Sequence, residues 1–141
     1  MNMRVLGIDY GDARTGIAIT DALNITVQGL ETIHNEGSDK LILKRLDEII
    51  EQYNVDTIVI GKPINMNGTA SERTQKTEQF IHKLKCKYNK LKIETIDERL
   101  TTVAAHKTMN FLDINKNKKK NIVDTISAVY ILETYLNKIK N

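Results

Sequence analysis

The spacing of apolar positions changes along the chain, and each change marks a different element. Met3 to Asp9 is short, mostly apolar and closed by the turn-forming Tyr10-Gly11-Asp12, the pattern of a buried strand that ends on a carboxylate. Gly16 to Asp21 repeats the pattern close enough for a hairpin connection. Thr26 to Ile33 alternates apolar and polar residues, as a strand with one wet face does. Together these runs predict a three-stranded antiparallel meander with the first strand in the middle of the sheet.

From Ser38 the period lengthens. Ile42, Leu46, Ile49, Ile50 and Tyr53 recur at three and four, with Ser38 as the expected N-cap and Asp39 in the first turn of an amphipathic helix. Thr57 to Ile60 is a short apolar strand stopped by Gly61 and Pro63, and Thr77, Phe80, Ile81 and Leu84 mark a second helix. Leu91 to Ile96 alternates as a fifth strand, and Thr101 or Thr102 caps a helix reaching about Phe111. The lysine-laden stretch Asn115 to Lys120 reads as a solvated loop, and Ile122 to Leu136 as a well-buried closing helix. This order predicts an α/β fold: a five-stranded mixed sheet, meander first and then alternating helices and strands, with helices on both faces. All 141 residues, 1–141, fall in one domain.

Composition narrows the setting more than the chemistry. The net charge of +3 favours anionic partners without selecting nucleic acid among them. Cys86 is the sole cysteine, which excludes an internal disulfide and a cysteine-based metal cage and leaves a buried or inert thiol as its expected state. No signal-like segment and no membrane-length apolar run is present, so a soluble cytoplasmic protein is expected. His34, His82 and His106 form no metal-binding spacing with one another or with Cys86, and no phosphate-binding GxxxxGK[ST] loop, GxSxG elbow or GxGxxG fingerprint occurs.

Chemistry concentrates at three acidic points. Asp9 ends a buried strand, where a carboxylate needs hydrogen bonds, a cation or a metal; starting the following turn is its ordinary alternative. Asp97-Glu98-Arg99 sits between a strand and a helix start, and strand parity leaves open which acid faces which side; a solvated turn with local ion pairs is the commoner account of such a triplet taken alone. Asp124 has apolar helical neighbours, which points it inward, although Asn121 and Asp124 also match a variant capping box. If the three points converge at one sheet edge, their mutual repulsion requires cations, and hard oxygen donors select Mg²⁺ or Mn²⁺ over zinc. Two such ions activate water and stabilise a leaving oxygen in phosphodiester hydrolysis. The segment Gly61 to Thr74 can offer backbone N–H groups, Lys62 and Arg73 to phosphates, and Lys116, Lys118, Lys119 and Lys120 can follow a nucleic-acid backbone.

Gly7-Ile8-Asp9-Tyr10-Gly11 with Gly16-Ile17-Ala18, Gly61-Lys62-Pro63 with Asn65-Met66-Asn67-Gly68-Thr69, Asp97-Glu98-Arg99-Leu100-Thr101-Thr102, and Asp124 with Ser127-Ala128 and Ile131-Leu132 resemble, in order and spacing, the YqgF or RuvX-like family of small ribonuclease H-fold proteins. The resemblance covers nearly the whole chain. It implies a ribonuclease H-like fold, a metal-binding and catalytic triad of Asp9, Glu98 and Asp124, and substrate contacts from Arg73 and Arg99, with Pro63 to Thr69 bordering the site. Asn67 stands where many relatives have Asp, so it is not an essential ligand in this reading. The implied activity is endonucleolytic maturation of the 5′ end of precursor 16S ribosomal RNA, on the free RNA or on pre-ribosomal particles, by a monomer or weak homodimer that uses no membrane. Cleavage of four-way DNA junctions and a catalytically silent nucleic-acid-binding factor are the alternatives. An actin-like ATPase shares the strand-Asp-x-Gly pattern but needs a second lobe.

Overall fold

The alternation of apolar residues becomes a single sheet in the structure, a computed structural model that describes residues 3–64, 71–100 and 116–140, with side chains of the last segment described from residue 125. Five strands form among these residues: β1 (Arg4–Asp9), β2 (Arg14–Thr20), β3 (Val27–His34), β4 (Val55–Lys62) and β5 (Lys92–Asp97). Their order across the sheet is β3-β2-β1-β4-β5, with β1 antiparallel to β2, β2 antiparallel to β3, and β1, β4 and β5 parallel. The carboxyl ends of the three parallel strands therefore share one edge, the position where open α/β sheets place their ligands. Helices α1 (Asp39–Tyr53), α2 (Glu72–Lys87) and α3 (Lys116–Lys140) and a single 3₁₀ turn, Glu98–Leu100, complete the described elements.

The two faces of the sheet are built differently. Leu6 and Ile8 of β1, Ile17 and Ile19 of β2, and Ile58 and Ile60 of β4 pack with Ile42, Leu46 and Ile49 of α1 and with Phe80, Ile81 and Leu84 of α2. The alternate residues Val5, Ala18, Val59 and Ile96 face α3, whose Ala128, Ile131, Leu132, Tyr135 and Leu136 cover them. On this second side the helix approaches the sheet backbone closely. A Cβ added at Gly7 would come within 3.0 Å of both the Ala128 carbonyl oxygen and the Leu132 Cβ, so only glycine lets β1 and α3 meet at this separation.

Some expectations are corrected. Ser38 occupies the N-cap of α1, but its side chain makes no capping hydrogen bond; its backbone N–H instead donates to the Asn35 carbonyl at 2.8 Å. The lysine-rich stretch is helical, since α3 starts at Lys116 instead of near Asn121. Lysine is a good helix former, and each residue added to an existing helix gains a backbone bond without a new nucleus. Asn121 is therefore interior to the helix, and neither the capping-box reading nor a first-turn position for Asp124 holds, because Asp124 lies eight residues in, more than two turns from the start. Cys86 is exposed on the outer side of α2, away from the buried stripe Thr74, Thr77, Phe80, Ile81 and Leu84. It stands one turn from His82, with Sγ 3.5 Å from Nε2, a proximity that linear spacing did not disclose. Of the stretch Gly61 to Thr74, Gly61 and Lys62 belong to β4 and Arg73 and Thr74 to α2, while residues 65–70 and the helix expected from Thr101 or Thr102 to Phe111 lie outside the described residues.

Candidate active site

Strand parity brings the first acid to the α3 face. Val5 and Gly7 of β1 point at α3, so Asp9, two residues on, shares their side; it is only 3% exposed. Ile8 pairs with Ile60, which sets Gly61 beside Asp9 at the next step of the ladder, about 5 Å away across the strands. Gly61 is in turn paired with Ile96 of β5. A Cβ at Gly61 would lie 2.5 Å from Ile131 Cδ1 and 3.0 Å from Glu98 Oε1. The Glu98 carboxylate thus lies over Gly61 on the α3 side, with Asp9 on the neighbouring strand.

Asp97 has the opposite parity and a different occupation. Its carboxylate accepts from the Arg99 backbone N–H at 2.9 Å, from Arg99 Nε at 3.0 and 3.2 Å and from an Arg99 terminal nitrogen at 2.7 Å. These bonds, led by that from the Arg99 side chain and assisted by the charge of Lys62, hold the Asp97 carboxyl below the usual carboxylate range. Lys62, paired with Asp97 in the ladder, forms an ion pair with Glu78 of α2 at 2.8 Å. Lys62 and Arg99 are therefore committed to acids of the chain itself. Arg73 is exposed in the first turn of α2.

The third acid is placed by its helix. Asp124 precedes Ala128 by four residues and Ile131 by seven, the stripe of α3 that meets Gly7 and Gly61. Its side chain, like those of Lys116, Lys118, Lys119 and Lys120, lies outside the described residues. Among the described residues no three acidic, histidine or cysteine side chains gather as a metal-ligand group.

The sequence model of the family described as "RuvX: Holliday junction resolvase" matches residues 3–138. The chain belongs to the RuvX family. It is 56% identical over 137 residues to a protein of Ruminiclostridium cellulolyticum, covering 97% of this chain and 96% of that one, and 52% identical over 134 residues to one of Acetivibrio thermocellus, covering 95% of each; both bear the name "Putative pre-16S rRNA nuclease". Among solved structures, Thermus thermophilus RuvC is similar at a TM-score of 0.57 and 10% identity over 98% of this chain and 97% of that one. The same protein in complex with a Holliday junction substrate is similar at 0.56, with 10% identity and 97% and 96% coverage. At this identity the likeness concerns the fold, which is ribonuclease H-like.

Two features of this RuvX chain escaped the sequence pattern. Asn35, 1% exposed, donates from Nδ2 to the carbonyls of Gly11 at 3.1 Å and Asp12 at 2.9 Å and accepts from Thr15 Oγ1 at 3.1 Å. It ties the turn that follows Asp9 to the exit of β3; a lone Asn next to Gly-containing turns carries no periodic signal. Ser71 caps α2 by accepting from the Thr74 N–H at 3.1 Å, and Thr74 Oγ1 donates to the Pro63 carbonyl, so the end of β4 is pinned to the start of α2. The Ser71-Glu72-Arg73-Thr74 run was legible as a cap, but the predicted loop subsumed it.

Proposed function

We propose that this chain is a metal-dependent endonuclease that hydrolyses phosphodiester bonds of precursor 16S ribosomal RNA in the maturation of its 5′ end, in the cytoplasm. The observation that carries the reading is the pair of carboxylates, Asp9 and Glu98, on one face of the carboxyl edge with a glycine between them. The names borne by its relatives in the RuvX family agree with it. The donors fit Mg²⁺ or Mn²⁺: they are hard carboxylate oxygens, and Gly61 keeps clear the volume that any side chain would take from Glu98.

Asp9, Glu98 and Asp124 would hold the cation. When bound, it supplies an activated water and charge stabilisation for the leaving oxygen. The rest is the work of the chain. Strand β1 holds Asp9 at the sheet edge, and Asn35 fixes the turn beyond it. Arg73 offers an exposed guanidinium to the phosphate backbone, whereas Lys62 and Arg99 reach phosphate by exchanging Glu78 and Asp97 for it. Purified protein incubated with a precursor leader RNA and Mg²⁺ or Mn²⁺ is expected to give discrete 5′ cleavage that is lost on chelation and in Asp9→Asn. Cleavage that survives both overturns the proposal.

The description of the family favours one second reading, cleavage of four-way DNA junctions by a homodimer. Paired symmetric nicks on a mobile junction are its expected signature. A monomer in solution that is indifferent to junctions rules it out.

A further inference from the structure

Among the described residues, Ser127 Oγ is the one fully enclosed hydroxyl without a hydrogen-bond partner, and other hydroxyls in the fold show what it forgoes. Thr20 Oγ1 donates to Asn24 Oδ1 and accepts from the Val5 N–H. Thr77 and Thr134 each donate to the carbonyl one turn back in their own helices, at 2.9 and 2.8 Å. Ser127 of α3 is fully buried, and its Oγ has no hydrogen-bond partner. It does not take the carbonyl one turn back that Thr134 takes in the same helix. A buried hydroxyl left in this state has lost its hydrogen bonds to water without replacement and destabilises the fold. Alanine would fill the space without that cost and is the better helix former.

The place of Ser127 gives the hydroxyl a use. It follows Asp124 by three residues and precedes Ile131 by four, on the side of α3 where Ile131 borders Gly61 and the Glu98 carboxylate. Its neighbour Ala128 rests on Gly7, two residues before Asp9. A carboxylate that gives one oxygen to a divalent cation keeps a second oxygen in need of a donor, and such outer contacts fix the geometry of the ligand.

We propose that the Ser127 hydroxyl is a positioning donor to the acidic edge formed by Asp9, Glu98 and Asp124, making its hydrogen bond to a carboxylate when a divalent cation is bound. The inference rests on the reading of that edge as a cation site. Ser127 touches neither substrate nor reacting atoms in this role; it acts through the carboxylate that it orients. The hydroxyl, which has no partner within the chain, is thus satisfied in the cation-loaded protein.

Ser127→Ala separates this role from packing. Melting in EDTA, Mn²⁺ titration by calorimetry, and kcat and KM for cleavage of the leader RNA are measured on wild type, Ser127→Ala and Asp9→Asn. The variant is expected to melt at or above the wild-type temperature in EDTA, to bind Mn²⁺ about tenfold more weakly, and to lose kcat with an unchanged KM. A Ser127→Ala protein that melts lower in EDTA while binding Mn²⁺ as tightly as wild type overturns the inference and leaves Ser127 as packing. If wild-type Mn²⁺ binding proves independent of Asp9, the cation-site reading fails and this inference with it. If binding depends on Asp9 but not on Ser127, the inference alone fails.

Discussion

Gly61→Ala tests whether the space between Asp9 and Glu98 matters, and its effect has two separable parts. The new Cβ would stand 2.5 Å from Ile131 Cδ1 and 3.0 Å from Glu98 Oε1. Ile131 is fully buried, so its terminal methyl cannot swing into solvent, and overpacking of this kind costs about 1–3 kcal/mol. For a domain of this length that corresponds to a fall in Tm of about 4–12 °C, at about 4 °C per kcal/mol. Glu98 is half-buried and can move aside at small cost to stability, but doing so shifts a proposed ligand. Ile131→Val removes the obstructing methyl and alone costs about 0.5–1.5 kcal/mol. The double variant Gly61→Ala/Ile131→Val is expected to be more stable than the two single losses added together, since the substitutions relieve one contact. Its Mn²⁺ affinity and cleavage rate stay low, because the contact with Glu98 persists. Chemical denaturation supplies the cycle, and calorimetry with Mn²⁺ supplies the second readout. Additive stabilities would refute the steric account. Full Mn²⁺ affinity and activity in Gly61→Ala would remove Glu98 from the site.

Further outcomes are expected elsewhere in the molecule. Glu98→Gln lowers cleavage about 10²-fold or more, whereas Asp97→Asn leaves kcat within a few-fold, and equal losses in steady-state assays would contradict the assignment of the two acids to opposite faces. Asn35→Ala leaves the Gly11 and Asp12 carbonyls without their buried donor and is expected to destabilise the protein by about 2–3 kcal/mol in urea unfolding; a loss below about 0.5 kcal/mol would show that the turn is held by other contacts. The Asp47 carboxyl is held below its ordinary range first by the hydroxyl of Tyr88, at 2.7 Å, and then by Lys87. Because its folded value is depressed, its contribution is complete above the unfolded value of about 3.9 and is lost as the pH falls through the folded one. Unfolding curves of wild type and Asp47→Asn should therefore converge below about pH 4, and a gap that widens there would reverse the sign.

The strands were legible because alternation is a local property that the sheet merely uses. Leu6 and Ile8 against Val5 and Gly7 already encode two covered faces. The choice between Asp97 and Glu98 was not local. It depends on which face α3 covers and on Ile96 turning towards that helix, and both follow from the pairing of β5 with β4. The start of α3 was missed because Lys116 to Lys120 carry no apolar stripe; their helicity is an extension of the helix that follows. Lys62 was read as available to phosphate because charge alone does not disclose that Glu78 is within reach, whereas the ion pair of Arg99 with Asp97 is the local pairing that the triplet suggested. Of the two states expected for Cys86, buried or inert, burial does not hold, because the orientation of α2 turns it outward.

The contrast between the two faces of the sheet has an evolutionary consequence. Beneath α1 and α2 the core is made of large aliphatic side chains, which exchange for one another while total volume is kept. Beneath α3 the sheet offers Gly7, Ala18, Gly29 and Gly61, and a Cβ at Gly29 would meet that of Thr125 at 3.0 Å. Compensating exchange is narrower there: Gly7 and Gly29 face a backbone oxygen and Cβ atoms that cannot retract, and only Gly61 faces the end of a long side chain, Ile131 Cδ1. The face away from the acids is thus the more tolerant of substitution, whereas on the α3 side a side chain at Gly7 or Gly29 requires the helix itself to shift.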